Sequence, residues 1–422
     1  MPPPYGGVPK VSLLYAREWR RQGHEVGLVF VYQPGKADDL GAGAKYFFEY
    51  PKKPGAWDKV FYLLSWMLRN PKLHFGLMRE YLSLNPHFSL HIPLFASYGV
   101  QLGKFIEYFK PDVVLLETVL LKSCMAALAA RRKDIPIVFD TYAEIHEPTM
   151  GENARLSDAE RAKYWSGMLD MAEYTICISN CAVGALRYLS RDKVKVFHDT
   201  CDFSLCRSEL GETRKEMRQK LGLPESRFLV GAVGAFEYRK GHHHLIEAMS
   251  VLAKQGLDIG VAICGGSGDP EKWRKLAADF GVGDRVYLLQ RIPEIDLVRF
   301  YRSLDLYANL SNTPRSCGLD LALLEAMASG LPIVVYDNGG LPEAVPEGRN
   351  GWLVKTDDMA GVARALSEAL EKTVDQLAEM GRVSAEIAAK YDIAFTSYTK
   401  AGWLQEAVER FNLKKSESTV RF

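Results

Sequence analysis

The 422-residue sequence predicts an α/β protein built of two doubly wound domains. Three observations carry that reading. Short apolar, β-branched runs alternate with segments of helical period over most of the chain. The runs are apolar throughout rather than at every second residue, the pattern of parallel strands covered on both faces. The alternation also occurs twice, in stretches divided by the polar segment 207–227. The length allows two or three domains, enough for two separate cores.

Taken in order, the chain opens on Met1-Pro-Pro-Pro-Tyr-Gly-Gly7. A phosphate-binding glycine turn ordinarily follows a buried strand. Gly6 and Gly7 come after only five residues, so the expectation is a chain that begins downstream of its natural start. Strands are predicted at 25–31, 113–116, 135–139, 175–178 and 194–197, then at 228–233, 260–263, 286–289, 306–310 and 333–335. Residues 45–94 break the alternation. They are rich in aromatics, Lys and Arg, and their apolar spacing suits a packed helical insertion. A face turned to an acceptor or a membrane is the sharper reading of the same residues. The tail from Tyr391 to Leu413 reads as helix and passes into the polar Lys414-Lys-Ser-Glu-Ser418, expected to fray. The domains are therefore drawn at 1–205, 206–390 and 391–422, with the cleft between the first two as the default binding site.

Composition narrows the function. Hydrophobic residues make up 47% and charged residues 25%, which excludes a disordered chain, a collagen-like fibre and a disulfide mini-scaffold. Lys and Arg total 53 against 52 Asp and Glu, so no bulk attraction for nucleic acid is expected. The seven cysteines are odd in number and form no CxxC pair, the usage of small buried residues in a reducing cytosol. No apolar run is long enough to span a bilayer and the N-terminus does not read as a signal peptide. A cytoplasmic protein is expected.

The chemistry concentrates in the second half. In Leu321-Ala-Leu-Leu-Glu-Ala-Met-Ala-Ser-Gly330 the single charge, Glu325, is surrounded by apolar residues on a predicted helix that Gly330 stops. A carboxylate stripped of water there costs several kcal/mol unless it is hydrogen-bonded, and vicinal ribose hydroxyls would bond it. A wet stripe on the helix is the plainer alternative. The preceding loop, Asn312 to Gly318, offers backbone N–H groups to an anion. Gly234-Ala-Phe-Glu-Tyr-Arg-Lys-Gly241 follows a strand and opens a helix, with Arg239 and Lys240 placed to neutralise a diphosphate. Gly265-Gly-Ser-Gly268 and Asn338-Gly-Gly-Leu-Pro-Glu343 are further glycine turns at strand ends, where α/β ligands bind. Consecutive His242, His243 and His244 point in different directions on a helix. They read as helix surface, not as a metal site.

Together, Gly6-Gly7 with Gly23-His-Glu-Val26, Gly234 with Lys240-Gly241, Glu325-Ala-Met-Ala-Ser-Gly330 and Gly339-Gly-Leu-Pro-Glu343 resemble the retaining glycosyltransferases of family 4. The resemblance spans nearly the whole chain. It implies a GT-B fold: two Rossmann-like domains facing a cleft, with a C-terminal helix crossing back to the first. It further implies transfer of a hexose from a nucleoside-diphosphate sugar to a saccharide or lipid-linked saccharide, with retention and in cell-surface polysaccharide or glycoconjugate synthesis. No metal or other cofactor is implied, and no Asp-x-Asp occurs. Donor contacts fall by resemblance on Gly6, Gly7, Gly234, Lys240, Gly265, Cys317, Gly318, Leu319, Asp320 and Glu325. Catalytic positions fall on Lys240, Arg239, Glu325, Tyr142 and His146.

The chain also departs from the family pattern. Cys317 stands where the first of two glutamates eight apart is usual, with Asp320 one turn away as the replacement carboxylate. Ala235 stands where an arginine is usual, with Arg239 as substitute. Tyr142 takes the place of a histidine, for which His146 or Glu144 could serve. These departures leave open a nucleotide-sugar-binding scaffold without activity, and the shared two-domain fold leaves open a GT-B epimerase or phosphorylase. Peripheral contact with the inner face of a membrane is part of the same expectation.

Overall fold

The computed structural model describes residues 7–32, 43–50, 55–85, 91–117, 121–141, 157–180, 189–290, 292–312 and 318–420. The chain divides into two compact units. One holds residues 15–197 and 397–422; the other holds 198–396 together with the described residues 7–14.

The first unit contains the C-terminal half of helix α1 (Gly7–Arg21), then β1 (Gly27–Tyr32) and β2 (Lys45–Tyr50), which pair in parallel. Three helices follow: α2 (Ala56–Arg69), α3 (Pro71–Leu84) and α4 (His91–Phe109). After them come β3 (Val114–Leu116), α5 (Leu121–Arg131), β4 (Ile137–Thr141), α6 (Asp158–Leu169), β5 (Tyr174–Cys177) and β6 (Val194–Val196). Strands β3 to β6 form a parallel sheet in chain order. Every residue of β4 and β5 is buried, Asp140, Thr141 and Thr175 included, as expected of strands covered on both faces.

The expected helical insertion at 45–94 needs correction at its start. Residues 45–50 are a strand, Lys-Tyr-Phe-Phe-Glu-Tyr, hydrogen-bonded along β1. Aromatic residues favour strands when a partner edge is at hand, and β1 supplies one. Beyond it the segment is helical. Asn70 both ends α2 and begins α3: its N–H donates to the Trp66 carbonyl and its Oδ1 accepts from Leu73 N, with Pro71 in the first turn.

The second unit is built on a six-stranded parallel sheet. Its elements are α7 (Phe203–Arg207), α8 (Arg214–Lys220), β7 (Phe228–Val233), α9 (His242–Lys254), β8 (Ile259–Gly265), α10 (Glu271–Asp279), β9 (Val286–Gln290), α11 (Glu294–Ser303), β10 (Leu306–Asn309), α12 (Leu321–Ala328), β11 (Ile333–Tyr336), β12 (Gly351–Val354), α13 (Met359–Leu370) and α14 (Val374–Ala388). The strand order is β12-β11-β10-β7-β8-β9. The chain thus builds outward from β7 in one direction, returns to β10 on its other side, and builds outward again. The topological switch point lies between β7 and β10, where open α/β sheets hold ligands.

The last helix, α15 (Ile393–Val420), carries residues 397–420 into the first unit. Ala407 packs with Val138, Tyr174 and Ile176, and Trp403 meets the Phe197 ring edge-on. The tail at 414–418 is not frayed: it continues α15, held by Lys414 on Glu173 at 2.6 Å and Lys415 on Asp134 at 3.0 Å. No described helix is long and apolar enough to cross a membrane.

Candidate functional site

The switch point of the second unit gathers the loops after β7, β10 and β11. After β7 the chain turns at Gly234, and the Lys240 side chain lies back over it: a Cβ on Gly234 would stand 3.2 Å from Lys240 Cδ. Lys240 Nζ is 3.5 Å from Asp320 Oδ2. Gly241 then starts α9 with φ +69°, and a side chain there would meet the Leu310 carbonyl oxygen at 1.9 Å. Only glycine permits this crossing of the β7 and β10 loops. Asn312 N donates to the Arg239 carbonyl at 3.2 Å, a second tie between them.

Asp320 begins α12. Its Oδ1 accepts from Leu323 N at 2.9 Å as an N-cap, and its Oδ2 accepts from Asn309 Nδ2 at 3.0 Å. Its carboxylate is therefore committed to helix capping, Asn309 and Lys240 before any ligand arrives. Gly318 and Leu319, just before it, are buried. After β11, Asn338 Nδ2 donates to the Ser311 carbonyl at 2.9 Å, and Glu343 pairs with His198 Nε2 at 2.9 Å.

Glu325 sits in α12 at 6% exposure, so the solvated-stripe alternative fails. Its compensation comes from the protein. Lys10 Nζ donates to Oε1 at 2.6 Å, and the buried Tyr301 hydroxyl donates to Oε2 at 3.0 Å. Lys10 also lies 3.2 Å from Glu294. Burial works against the Lys10 ammonium, but Glu325 and then Glu294 hold its pKa above the ordinary lysine value. Ionised carboxylate oxygens offer about four acceptor positions, so two donors leave room for ribose hydroxyls.

The remaining expected residues divide clearly. Arg239 is exposed and pairs with Glu237, which draws it into a local ion pair. Gly265 ends β8 against the turn after β7: a Cβ there would lie 2.6 Å from the Gly234 carbonyl oxygen, so it serves close backbone packing. Gly7 is the first residue of α1. Gly6, Tyr142, His146 and Cys317 lie outside the described residues, as does Glu144. The histidine run is not helix surface. His242 and His244 are buried, and His243 stacks on Trp273. Nε2 of His242 bonds the Ala235 carbonyl oxygen at 3.1 Å, and Nδ1 of His244 bonds Tyr336 at 2.9 Å. His242 and His244 thus serve separate hydrogen-bond partners, and no cluster of metal-ligating side chains occurs among the described residues. A cavity of about 500 Å³ lined by Arg349, Trp352, Lys372 and Glu379 shares no residue with the switch point.

Sequence reasoning missed Lys10, Tyr301 and Asn309. Lys10 had a signal: it is the one charge in the run from Val8 to Ala16, the same oddity that singled out Glu325. Two isolated opposite charges in apolar helices, 315 positions apart, are each other's partners.

Comparison with known proteins agrees with this architecture. Residues 6–198 match the glycosyl transferase 4-like domain and residues 213–386 match glycosyl transferases group 1. The chain belongs to the GT-B glycosyltransferases of the family-4 type. It is 32% identical over 222 residues to a D-inositol 3-phosphate glycosyltransferase of Corynebacterium efficiens, covering 51% of each chain. It is also 32% identical over 164 residues to a GDP-mannose-dependent alpha-(1-6)-phosphatidylinositol monomannoside mannosyltransferase of Mycolicibacterium smegmatis, covering 38% of this chain and 42% of that one. The chain spans about half the length of the curated relatives it matches. Its fold is that of Anabaena HepE in complex with UDP and glucose, with TM-score 0.71 at 18% identity over 96% of this chain and 98% of that one.

Proposed function

We propose that the chain transfers a hexose from a nucleoside-diphosphate sugar to a saccharide or lipid-linked saccharide, with retention at the anomeric carbon and without a metal, in cell-surface polysaccharide or glycoconjugate synthesis. The observation that carries the reading is Lys240, folded over Gly234 at the sheet's switch point beside the Asp320 cap. As the bond from the anomeric carbon to the β-phosphate oxygen breaks, negative charge grows on the diphosphate. Lys240 and the backbone N–H groups at Gly318 and Leu319 stabilise it. The acceptor oxygen bonds the anomeric carbon on the face from which the diphosphate departs, and a phosphate oxygen takes the acceptor proton. Glu325, oriented by Tyr301 and Lys10, accepts from the ribose hydroxyls.

A thermal-shift series of nucleoside diphosphates and their sugars tests donor binding, because a ligand of the native state raises apparent stability. Product analysis with and without a saccharide acceptor tests transfer. Lys240→Ala is expected to lower turnover about 100-fold or more while the ligand-free protein melts as before. Unchanged turnover in that variant rejects the assigned role. No shift with any nucleotide rejects the donor reading itself.

A further inference from the structure

The outward face of α2 is apolar where a helix on a protein surface should be polar. Trp57, Phe61, Leu64 and Leu68 are 75%, 68%, 41% and 73% exposed. Their spacing of four, three and four residues puts them in one stripe within about 60° of helix arc. The opposite side is the anchored one. Buried Tyr62 donates to Gln101 Oε1 at 2.7 Å on α4, and Ser97 of α4 donates to the Leu63 carbonyl at 3.0 Å. The stripe is thus held outward by a fixed inner face, and no described element covers it at these exposures.

The charge along α2 and α3 is mainly cationic. From Lys59 to Arg79 the chain carries four cations, Lys59, Arg69, Lys72 and Arg79, and no carboxylate. All four are exposed, and the Arg69 guanidinium lies 4.5 Å from the Trp66 ring centroid. On α3, Phe75 is exposed between Lys72 and Arg79. The two carboxylates that bound this stretch are engaged: Asp58 accepts from Gly55 N and caps the helix start, and Glu80 pairs with Arg132 at 2.6 Å. In a chain whose charges otherwise balance, such a segment is a local cationic patch.

We infer that α2 and α3 form a docking surface for an anionic lipid bilayer, with α2 lying in the interface. An apolar stripe of Trp, Phe and Leu beside Lys and Arg fits headgroup and acyl-chain chemistry together. Self-association fits poorly, because two copies joined by this face would set Arg69, Lys72 and Arg79 against the same cations of the other copy. The surface stands independently of the donor chemistry proposed above.

Flotation of the full chain with vesicles tests it, comparing phosphatidylcholine alone with phosphatidylcholine containing phosphatidylglycerol. The wild type is expected to float with the anionic vesicles and to dissociate as salt rises. The double variant W57S/F61S is expected to lose about tenfold or more in partitioning, and K72E a smaller share. Both should keep the wild-type melting temperature and nucleotide response, since these side chains are exposed and lie outside the donor site. Wild type that stays with the soluble fraction, or W57S/F61S that floats equally well, overturns the inference. So does a concentration-dependent dimer in sedimentation that W57S/F61S splits, which would assign the stripe to a second copy. Failure of the donor reading would appear instead in the nucleotide response.

Discussion

At the scale of single residues, His242 shows how a side chain can be fixed in its neutral form. It is 2% exposed and hydrogen-bonded to the Ala235 carbonyl oxygen. Burial first, and the nearby Lys240 ammonium second, lower its pKa to about 4. The unfolded chain takes up this proton near pH 6.5 and the folded chain only near pH 4. Proton uptake by the unfolded state therefore weakens the fold as pH falls through that window, by up to about 3 kcal/mol at its lower end. Above about pH 6.5 the contribution is constant. Urea denaturation between pH 7 and pH 4 is expected to show this loss, and His242→Gln to flatten it. An equal pH slope in the variant would place the linkage in another group. His243 shifts in the same direction, mainly by burial and next by His244, and supplies a second part of the slope.

At the scale of elements, α12 shows why helix boundaries were readable and side-chain commitments were not. Its end was legible: Gly330 sits at φ +82° and its N–H donates to the Met327 carbonyl at 2.9 Å, the glycine stop the sequence suggested. Its start carries two functions on one residue. Asp320 caps the helix and faces Lys240, and spacing alone cannot reveal a Lys240 contact made across the sheet. Asp320→Ala is expected to cost about 1–2 kcal/mol by removing the cap. Asp320→Asn should retain most of that stability, since Asn caps well, while changing the charge beside Lys240. A nucleotide affinity that changes in Asp320→Asn at preserved stability would separate the two roles; equal melting of both variants would refute the cap. The β7 to β11 runs were legible from continuous apolar composition. Strands β2 and β12 were not. Aromatic-rich 45–50 carries no decisive period, and Gly351–Val354 is too short to stand out from its loop. The tail at 414–418 looked frayed because its stabilising carboxylates, Glu173 and Asp134, lie more than 200 positions away.

At the scale of the whole molecule, the two ends of the chain are bound to distant residues by buried charge. Lys400 of α15 places Nζ 2.6 Å from Asp140 Oδ2 on β4 and 3.9 Å from the centroid of the Tyr15 ring. Both charged side chains are almost wholly enclosed, at 4% and 1% exposure. Burial opposes the Lys400 ammonium, yet Asp140 and Tyr15 keep its pKa above the usual lysine range. Neither residue stood out in the sequence, because each lies 260 positions from the partner that makes it tolerable. Lys400→Met removes the cation and leaves the Asp140 carboxylate inside, which is expected to destabilise the first unit by about 3–5 kcal/mol. Lys400→Met with Asp140→Leu removes both charges and should regain most of that loss, because an apolar pair of similar volume avoids the desolvation penalty. Urea titration of the two variants reads the difference, and equal midpoints for them would show that the pair is not coupled. The nucleotide-induced shift should persist in both. Its described residues, Lys10 included, belong to the second unit, whose sheet and core are built from residues of 198–396.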